Sequence, residues 1–432
     1  MEQITIIGGG LAGVEAAWQL AKRNIPCQLW EMRPRVMTPA HRGGDLAELV
    51  CSNSLRAAGL SNAVGLLKEE MRRLHSLVME AADATAVPAG GALAVDRRRF
   101  SAYIEKKLSR LPALRIIRRE YRQIPDGKAI IAAGPLASDA LSRQLQELCG
   151  DRLYFHDAIA PIVSGDSIDY DIAFFASRYD KGGGADYLNC PMTREQYREF
   201  YSQLLAAELH PLSGFEREKL FSGCMPIESM ARLGEDTMRF GPLKPVGLPL
   251  ADGSQAYAVV QLRRENLSAD MFNLVGFQTR LKWPEQRRVF RLIPGLANAE
   301  FLRYGSMHRN TYIDSPRLLD AWQRLRGREN LLFAGQISGV EGYVESAASG
   351  LAAGLTMAAM ARGREPAALP LTTALGALLH YTASATGAFQ PMNVNFGLLP
   401  PLEQRFRRKQ EKNAALANRA LQDLQTYIRE QL

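Results

Sequence analysis

Ile4-Thr5-Ile6-Ile7-Gly8-Gly9-Gly10-Leu11-Ala12-Gly13 decides the fold. A short apolar strand runs into a GxGxxG turn, and an amphipathic helix over Leu11 to about Arg23 follows. A second strand, Cys27–Trp30, ends at Glu31, 18 residues after Gly13. Each part has a physical task. Gly8 permits the tight turn, Gly10 lets a pyrophosphate approach the backbone, and Gly13 lets helix and strand pack closely. Gly9, Leu11 and Ala12 complete the phosphate-facing turn, and the helix N-terminus offers N–H groups and a positive dipole end. Glu31 is placed to accept hydrogen bonds from ribose hydroxyls. The reading is a dinucleotide-binding α/β unit.

Further along, Leu331–Phe333 is a second apolar strand leading into glycines at Gly335, Gly339 and Gly342. Flavoproteins of the glutathione-reductase type close their FAD site with such a late segment, and this chain is similar to them. FAD is therefore the expected cofactor, with Gly335, Gln336, Glu341, Gly342 and Tyr343 on its flavin side. A helix starting near Gly342 would direct its positive end at the flavin. Between the two segments, from about Ala158 to Arg303, strand-like runs (Ile172–Ala176, Ala256–Leu262) alternate with prolines and charged helices. The expected architecture is a glutathione-reductase-type FAD-binding Rossmann domain with an inserted α+β domain. Its divisions fall at 1–150, 151–324 and 325–432, the last ending in a polar basic helix.

Composition narrows the class. The chain has 432 residues, of which 47% are hydrophobic and 23% charged, as in ordinary globular proteins of two or more domains. No 18 consecutive apolar residues occur, so no membrane span is expected, and the Ala-rich run Leu351–Met360 reads as a buried helix. A cytoplasmic location is the expectation. Five cysteines without a CxxC pair suggest neither a disulfide framework nor a metal site. Cys27 and Cys149 read as structural and Cys190 is open. Cys51 and Cys224 lie in polar or Gly/Pro-bracketed turns where a thiol can be activated. The net charge of +8 is concentrated: residues 97–122 hold ten Lys or Arg against Glu105 and Glu120. Such a face invites a polyanion.

Longer motifs carry a resemblance. They include PAHRGGDLAELVCSNSLR (39–56), NAVGLLKEEMRRL (62–74), GCMPIE (223–228), FGPLKPVGL (240–248), MHRNTYI (307–313) and AGQISGVEGYVESAASG (334–350). Together they resemble the bacterial folate- and FAD-dependent tRNA (uracil-5-)-methyltransferases along nearly the whole chain. Ala132-Ala133-Gly134 departs from the family's commoner Ala-Thr-Gly. The resemblance implies methylation of the T-loop uridine (position 54) of tRNA. Methylenetetrahydrofolate would supply the carbon and FAD, reduced by NAD(P)H, the electrons. By the same resemblance Cys224 is the nucleophile at uracil C6, Cys51 its partner, and His308 the stacking residue for folate. No obligate protein partner is implied. The basic segment 97–122 and Arg405, Arg407, Arg408, Lys409 and Lys412 would contact tRNA phosphates. Four alternatives are weighed: the related wobble-uridine family that works with a GTPase, the same chemistry on a ribosomal RNA uridine, a non-catalytic RNA-binding or folding-assistance protein that retains FAD structurally, and an RNA-independent NAD(P)H–flavin oxidoreductase.

Overall fold

The computed structural model describes residues 2–150, 153–180, 184–210, 225–266, 268–386 and 389–432. Ile4–Ile7 lies in parallel between Cys27–Glu31 and Ala129–Ile131. The sheet runs Arg324–Leu325, Arg328–Phe333, Ala129–Ile131, Ile4–Ile7, Cys27–Glu31, Leu114–Arg118. Its strands are parallel apart from the antiparallel edge strand Arg324–Leu325. The central strands carry unbroken apolar runs because helices cover them. Arg328–Phe333, far along the chain, joins at Ala129–Ile131 and so returns the C-terminal segment to the first strand.

The helix Leu11–Ala21 ends two residues before the expected boundary. It packs on Tyr343–Ala361, a helix long and apolar enough to cross a membrane but largely buried here in the core. Small residues set their separation: a Cβ on Gly350 would lie 2.1 Å from the Ala12 carbonyl oxygen. Apolar residues recur at helical spacing over residues 62–82 (Val64, Leu67, Met71, Leu74, Leu77, Val78), yet the stretch forms two helices, Ala63–Arg73 and Leu77–Ala84. His75 divides them by taking a left-handed conformation (φ 59°), and its carbonyl accepts the Trp18 indole N–H at 2.9 Å. Ser76 then caps the second helix through the Met79 N–H.

A second sheet is wholly antiparallel, in the order Phe174–Ala176, Tyr187–Met192, Ala258–Arg264, Met271–Leu274, Ile162–Ser164, Phe301–Arg303. It has its own core, with Tyr197, Phe200, Phe272, Phe277 and Phe290 packed beside Cys190. The backbone pair Leu153–Ile159 and Ser306–Tyr312 lies at the two passages between this region and the parallel sheet. The last helix spans Lys409–Gln431, so Arg405, Arg407 and Arg408 precede it. It is not simply a polar helix, because Leu416, Ala417, Ala420, Leu421, Leu424 and Tyr427 form a buried stripe.

Two buried carboxyls support the helical layer. Glu15 accepts Ser76 Oγ and the Val78 N–H (2.7 Å). Glu70 accepts the Ala374 and Leu375 N–H groups at 2.7 and 2.9 Å, at the start of the helix Ala374–Ser384. Burial pushes both carboxyls up to about 7. A carboxyl raised on folding contributes stability below its unfolded pKa and loses it as pH rises through the folded value. The thermal midpoint should thus fall between pH 5 and pH 8. In Glu15→Gln that fall should shrink, by at most roughly 3 kcal/mol in stability, as read by calorimetry across that range.

Candidate functional site

The glycine turn opens one side of a cleft containing about 1020 Å³ of empty space. A Cβ on Gly8 (φ 107°) would lie 2.3 Å from the Ala132 carbonyl oxygen, and one on Gly13 1.8 Å from the Gly8 oxygen. Neither position can take a side chain. A Cβ on Gly10, by contrast, would meet nothing within 4 Å, so the backbone at that point faces open cleft. Gly10 also begins the helix without a side-chain cap, which leaves its first N–H groups for an anion. This is the cradle that a pyrophosphate fits.

Glu31 lines the same cleft but has another task as well. Its carboxylate accepts the Gly9 N–H (2.8 Å), the Arg33 N–H and Arg33 Nε (both 2.9 Å). Burial would raise its pKa, but the hydrogen bonds and charge of Arg33 and the Gly9 N–H hold it below the ordinary value. Glu31 therefore fixes the turn while presenting a carboxylate at the end of the second strand, where a ribose would lie. Trp30, Met32, Arg119, Tyr121 and the Ala132–Leu136 turn form the remaining wall beyond it. The donor set and shape fit FAD.

At the other end, Gly335, Gln336, Tyr343 and Ser346 close the cleft beside Val50. Gly335 (φ 81°) sits against Ala12, where a Cβ would approach within 2.8 Å. Gly342 (φ 109°) begins the helix Tyr343–Ala361. Glu341 is outside the lining; its carboxylate accepts Gln336 Nε2 at 2.7 Å and so orients a side chain that does line it. The Tyr343 hydroxyl accepts the backbone N–H of Cys51 at 2.6 Å and of Ser52 at 3.2 Å. Burial, followed by the neighbouring Cys51, pushes that phenol strongly up, so it stays neutral.

The structure thus brings Gly8, Gly10, Leu11, Ala12, Glu31, Gly335, Gln336 and Tyr343 to one cleft, with Cys51 bonded to its Tyr343 wall. Gly9, Gly13, Glu341 and Gly342 support it from behind. His308 is in the strand Ser306–Tyr312, opposite Asp157, and its side chain is outside the described residues. Cys224 also lies outside the described residues. Cys27 and Cys190 are buried, which pushes both thiols up to about 12 and makes them inert. Among the described residues no group of three or more His, Cys, Asp or Glu could hold a metal ion.

The basic segment needs correction. Arg97 is no surface phosphate ligand: it pairs with the buried Glu265 and donates to the Leu49 carbonyl. Lys107, Arg118 and Arg122 pair with Glu80, Glu105 and Glu120. Arg98, Arg99, Lys106, Arg110 and Arg115 remain exposed. The C-terminal candidates Arg405, Arg407, Arg408, Lys409 and Lys412 are exposed as well.

Fold and cleft define a GidA-type FAD-binding flavoprotein. The family described as glucose inhibited division protein A matches residues 3–365. The solved structure of Aquifex aeolicus GidA superimposes with a TM-score of 0.70 at 17% identity, over 98% of this chain and 73% of that one. Full-length relatives narrow the family further. Methylenetetrahydrofolate--tRNA-(uracil-5-)-methyltransferase TrmFO of Heliobacterium modesticaldum is 59% identical, over 99% of this chain and 98% of its own. Its counterpart in Geobacter sulfurreducens is 57% identical, over 98% of each. The chain belongs to the methylenetetrahydrofolate--tRNA-(uracil-5-)-methyltransferase family.

Residues that sequence reasoning passed over are Arg33, Asn53, Arg263 and Arg303. Asn53, fully buried, donates to the Val95 and Arg264 carbonyls at 3.0 and 2.9 Å and ties the Cys51 loop to the antiparallel sheet. Its place in the Cys51-Ser52-Asn53-Ser54 run was the one available signal. Tyr343→Phe should keep FAD but leave two loop N–H groups without their acceptor. A stability loss of about 1–3 kcal/mol is expected, with at least tenfold slower turnover, measured by thermal melting and flavin-linked assay.

Proposed function

We propose that this chain methylates C5 of the T-loop uridine, position 54, of tRNA, with methylenetetrahydrofolate as carbon donor and reduced FAD as reductant. The observation that carries this reading is the mooring of the Cys51 loop to Tyr343, inside a cleft shaped for FAD. When bound, FAD supplies the electrons that bring a one-carbon unit from methylene to methyl level.

The side chains supply the rest. Uracil C5 is a weak nucleophile until a thiolate adds at C6 and moves the C5–C6 electron pair onto C5. Cys224, in the sequence Gly223-Cys224-Met225-Pro226, is the proposed nucleophile. The activated C5 bonds to the methylene carbon as one of that carbon's bonds to a donor nitrogen breaks, the electron pair staying on nitrogen. Cys51 is the proposed base that takes the C5 proton; the pair left on C5 expels the remaining donor nitrogen, and two electrons and a proton then turn the exocyclic methylene into methyl as the C6–sulfur bond breaks and returns the Cys224 thiolate. His308 is proposed to stack on the folate ring, and NAD(P)H to reduce the flavin.

The exposed arginines and lysines of 98–115 and 405–412 are proposed to hold tRNA phosphates, with the uridine extruded from its loop to reach the thiols. We assign 1–150 and 325–432 to the FAD-binding domain and 151–324 to the inserted α+β domain, and place the enzyme in the cytoplasm.

Purified protein should be incubated with tRNA, methylenetetrahydrofolate labelled in its methylene carbon, and NAD(P)H. Label is expected at uracil C5 of position 54 with wild type and none with Cys224→Ala. Rapid NAD(P)H oxidation without label would instead identify a flavin reductase, and label only in ribosomal RNA would reassign the substrate. Charge reversal at Arg407 and Arg408 should weaken tRNA binding and flatten its salt dependence, as measured by filter binding.

A further inference from the structure

Three guanidinium groups converge on the loop that carries Cys51. Arg97, at the start of the helix Arg97–Leu108, donates to the Leu49 carbonyl. Arg303, at the end of the strand Phe301–Arg303, donates to the Val50 carbonyl. Arg263, in the strand Ala258–Arg264, donates to Ser52 Oγ at 2.6 Å and Asn53 Oδ1 at 2.8 Å. The residues on both sides of Cys51 are thus held by cations, while its own N–H is held by Tyr343.

The charges around the loop do not balance. Glu265, 2% exposed, is the carboxylate in reach, and it is paired with Arg97. Among the described residues neither Arg263 nor Arg303 forms a salt bridge, and their loop contacts are to neutral oxygens. Arg263 is 7% exposed. Burial, and then the charge of Arg97, brings Arg303 down to about 10, which still leaves it protonated at neutral pH. Burial lowers Arg263 too. Arg42 adds a further positive charge near Arg303, whereas the half-buried Tyr343 phenol stays neutral. Buried positive charge in excess of its carboxylates is costly unless an anion compensates it. Cys51 is the acid in reach of all three arginines.

We propose that Arg97, Arg263 and Arg303 form a cationic cradle that holds Cys51 as a thiolate at neutral pH. They are positioning residues: they act on the substrate through the sulfur, fixing both its place and its charge. The thiol proton is released to solvent and nothing is oxidised. This deepens the function proposed above, from which it takes the role of Cys51. Its test needs neither tRNA nor folate, so the two readings can fail separately.

The FAD-loaded enzyme would be labelled with iodoacetamide from pH 5 to 10, with Cys51 followed by peptide-resolved mass spectrometry. Half-maximal labelling is expected at or below about pH 7, against about 8.5 for an ordinary thiol. The half-buried Cys149 provides a reference within the same molecule, and the buried Cys27 and Cys190 should remain unlabelled. Arg303→Gln and Arg263→Gln should each raise the Cys51 midpoint by about one unit, and slow its labelling about tenfold at pH 6. Arg303→Lys, which keeps the charge, should restore most of the shift. A wild-type midpoint at the ordinary thiol value would overturn the proposal without any variant. A low midpoint that neither glutamine variant moves would overturn it as well.

Discussion

Ala12 is where the first helix meets the late segment Gly335–Gly350. On one side it belongs to the first helix turn, whose N–H groups face the pyrophosphate cradle. On the other, Gly335 and Gly350 approach it so closely that a Cβ on either would come within 2.8 and 2.1 Å of its atoms. Gly354 repeats the contact at Ala16 and Gln19 one turn later. Packing this tight allows the helix Tyr343–Ala361 to lie on Leu11–Ala21, with its first residue Tyr343 at the flavin end of the cleft. A side chain at Gly350 would separate the helices and carry Tyr343 away from Cys51. The hydrogen bond from the Cys51 N–H to Tyr343 therefore depends on a steric requirement two turns into a core helix.

The site also depends on the second sheet. Arg263 and Arg303 reach the Cys51 loop from the antiparallel sheet, and Asn53 returns hydrogen bonds to the carbonyls of Val95 and Arg264. Glu265, one residue beyond the strand Ala258–Arg264, reaches from the antiparallel-sheet side to compensate Arg97. Burying this many charged groups is unfavourable unless each finds a partner, so the contact between the two regions acts less as a source of stability than as a specification of geometry. Among the described residues Glu265 Oε1 and Arg97 Nη2 are buried without a hydrogen-bond partner, although the two side chains pair through other atoms.

What could be read from the sequence follows from which interactions are local. The turn Gly8–Gly13 and its partner Glu31 lie within one βαβ unit, and backbone geometry alone dictates the glycines. The late strand was legible because Leu331–Phe333 repeats the same strand-to-glycine pattern, and it joins the sheet at Ala129–Ile131. The division at His75 was not legible: a left-handed residue inside a helical pattern is stabilised by Trp18, 57 positions away. Similarly, the buried stripe of Lys409–Gln431 was hidden by its basic flank, because charge is conspicuous in a sequence while the face it leaves apolar is not.

The arginines illustrate the same limit most sharply. Arg97 opens a run of three arginines, and composition alone assigns all three to one solvated face. Arg98 and Arg99 are indeed exposed, but Arg97 follows the N-cap Asp96 directly and turns inward to Leu49 and Glu265. A helix turns by about 100° per residue, so adjacent residues of identical chemistry can serve opposite purposes. One meets solvent; the other meets the loop that carries Cys51 and the carboxylate of Glu265. Which residue does which is decided by the rotation of the helix about its axis, and that rotation is set by Phe100, Ile104 and Leu108, which lie on its buried face.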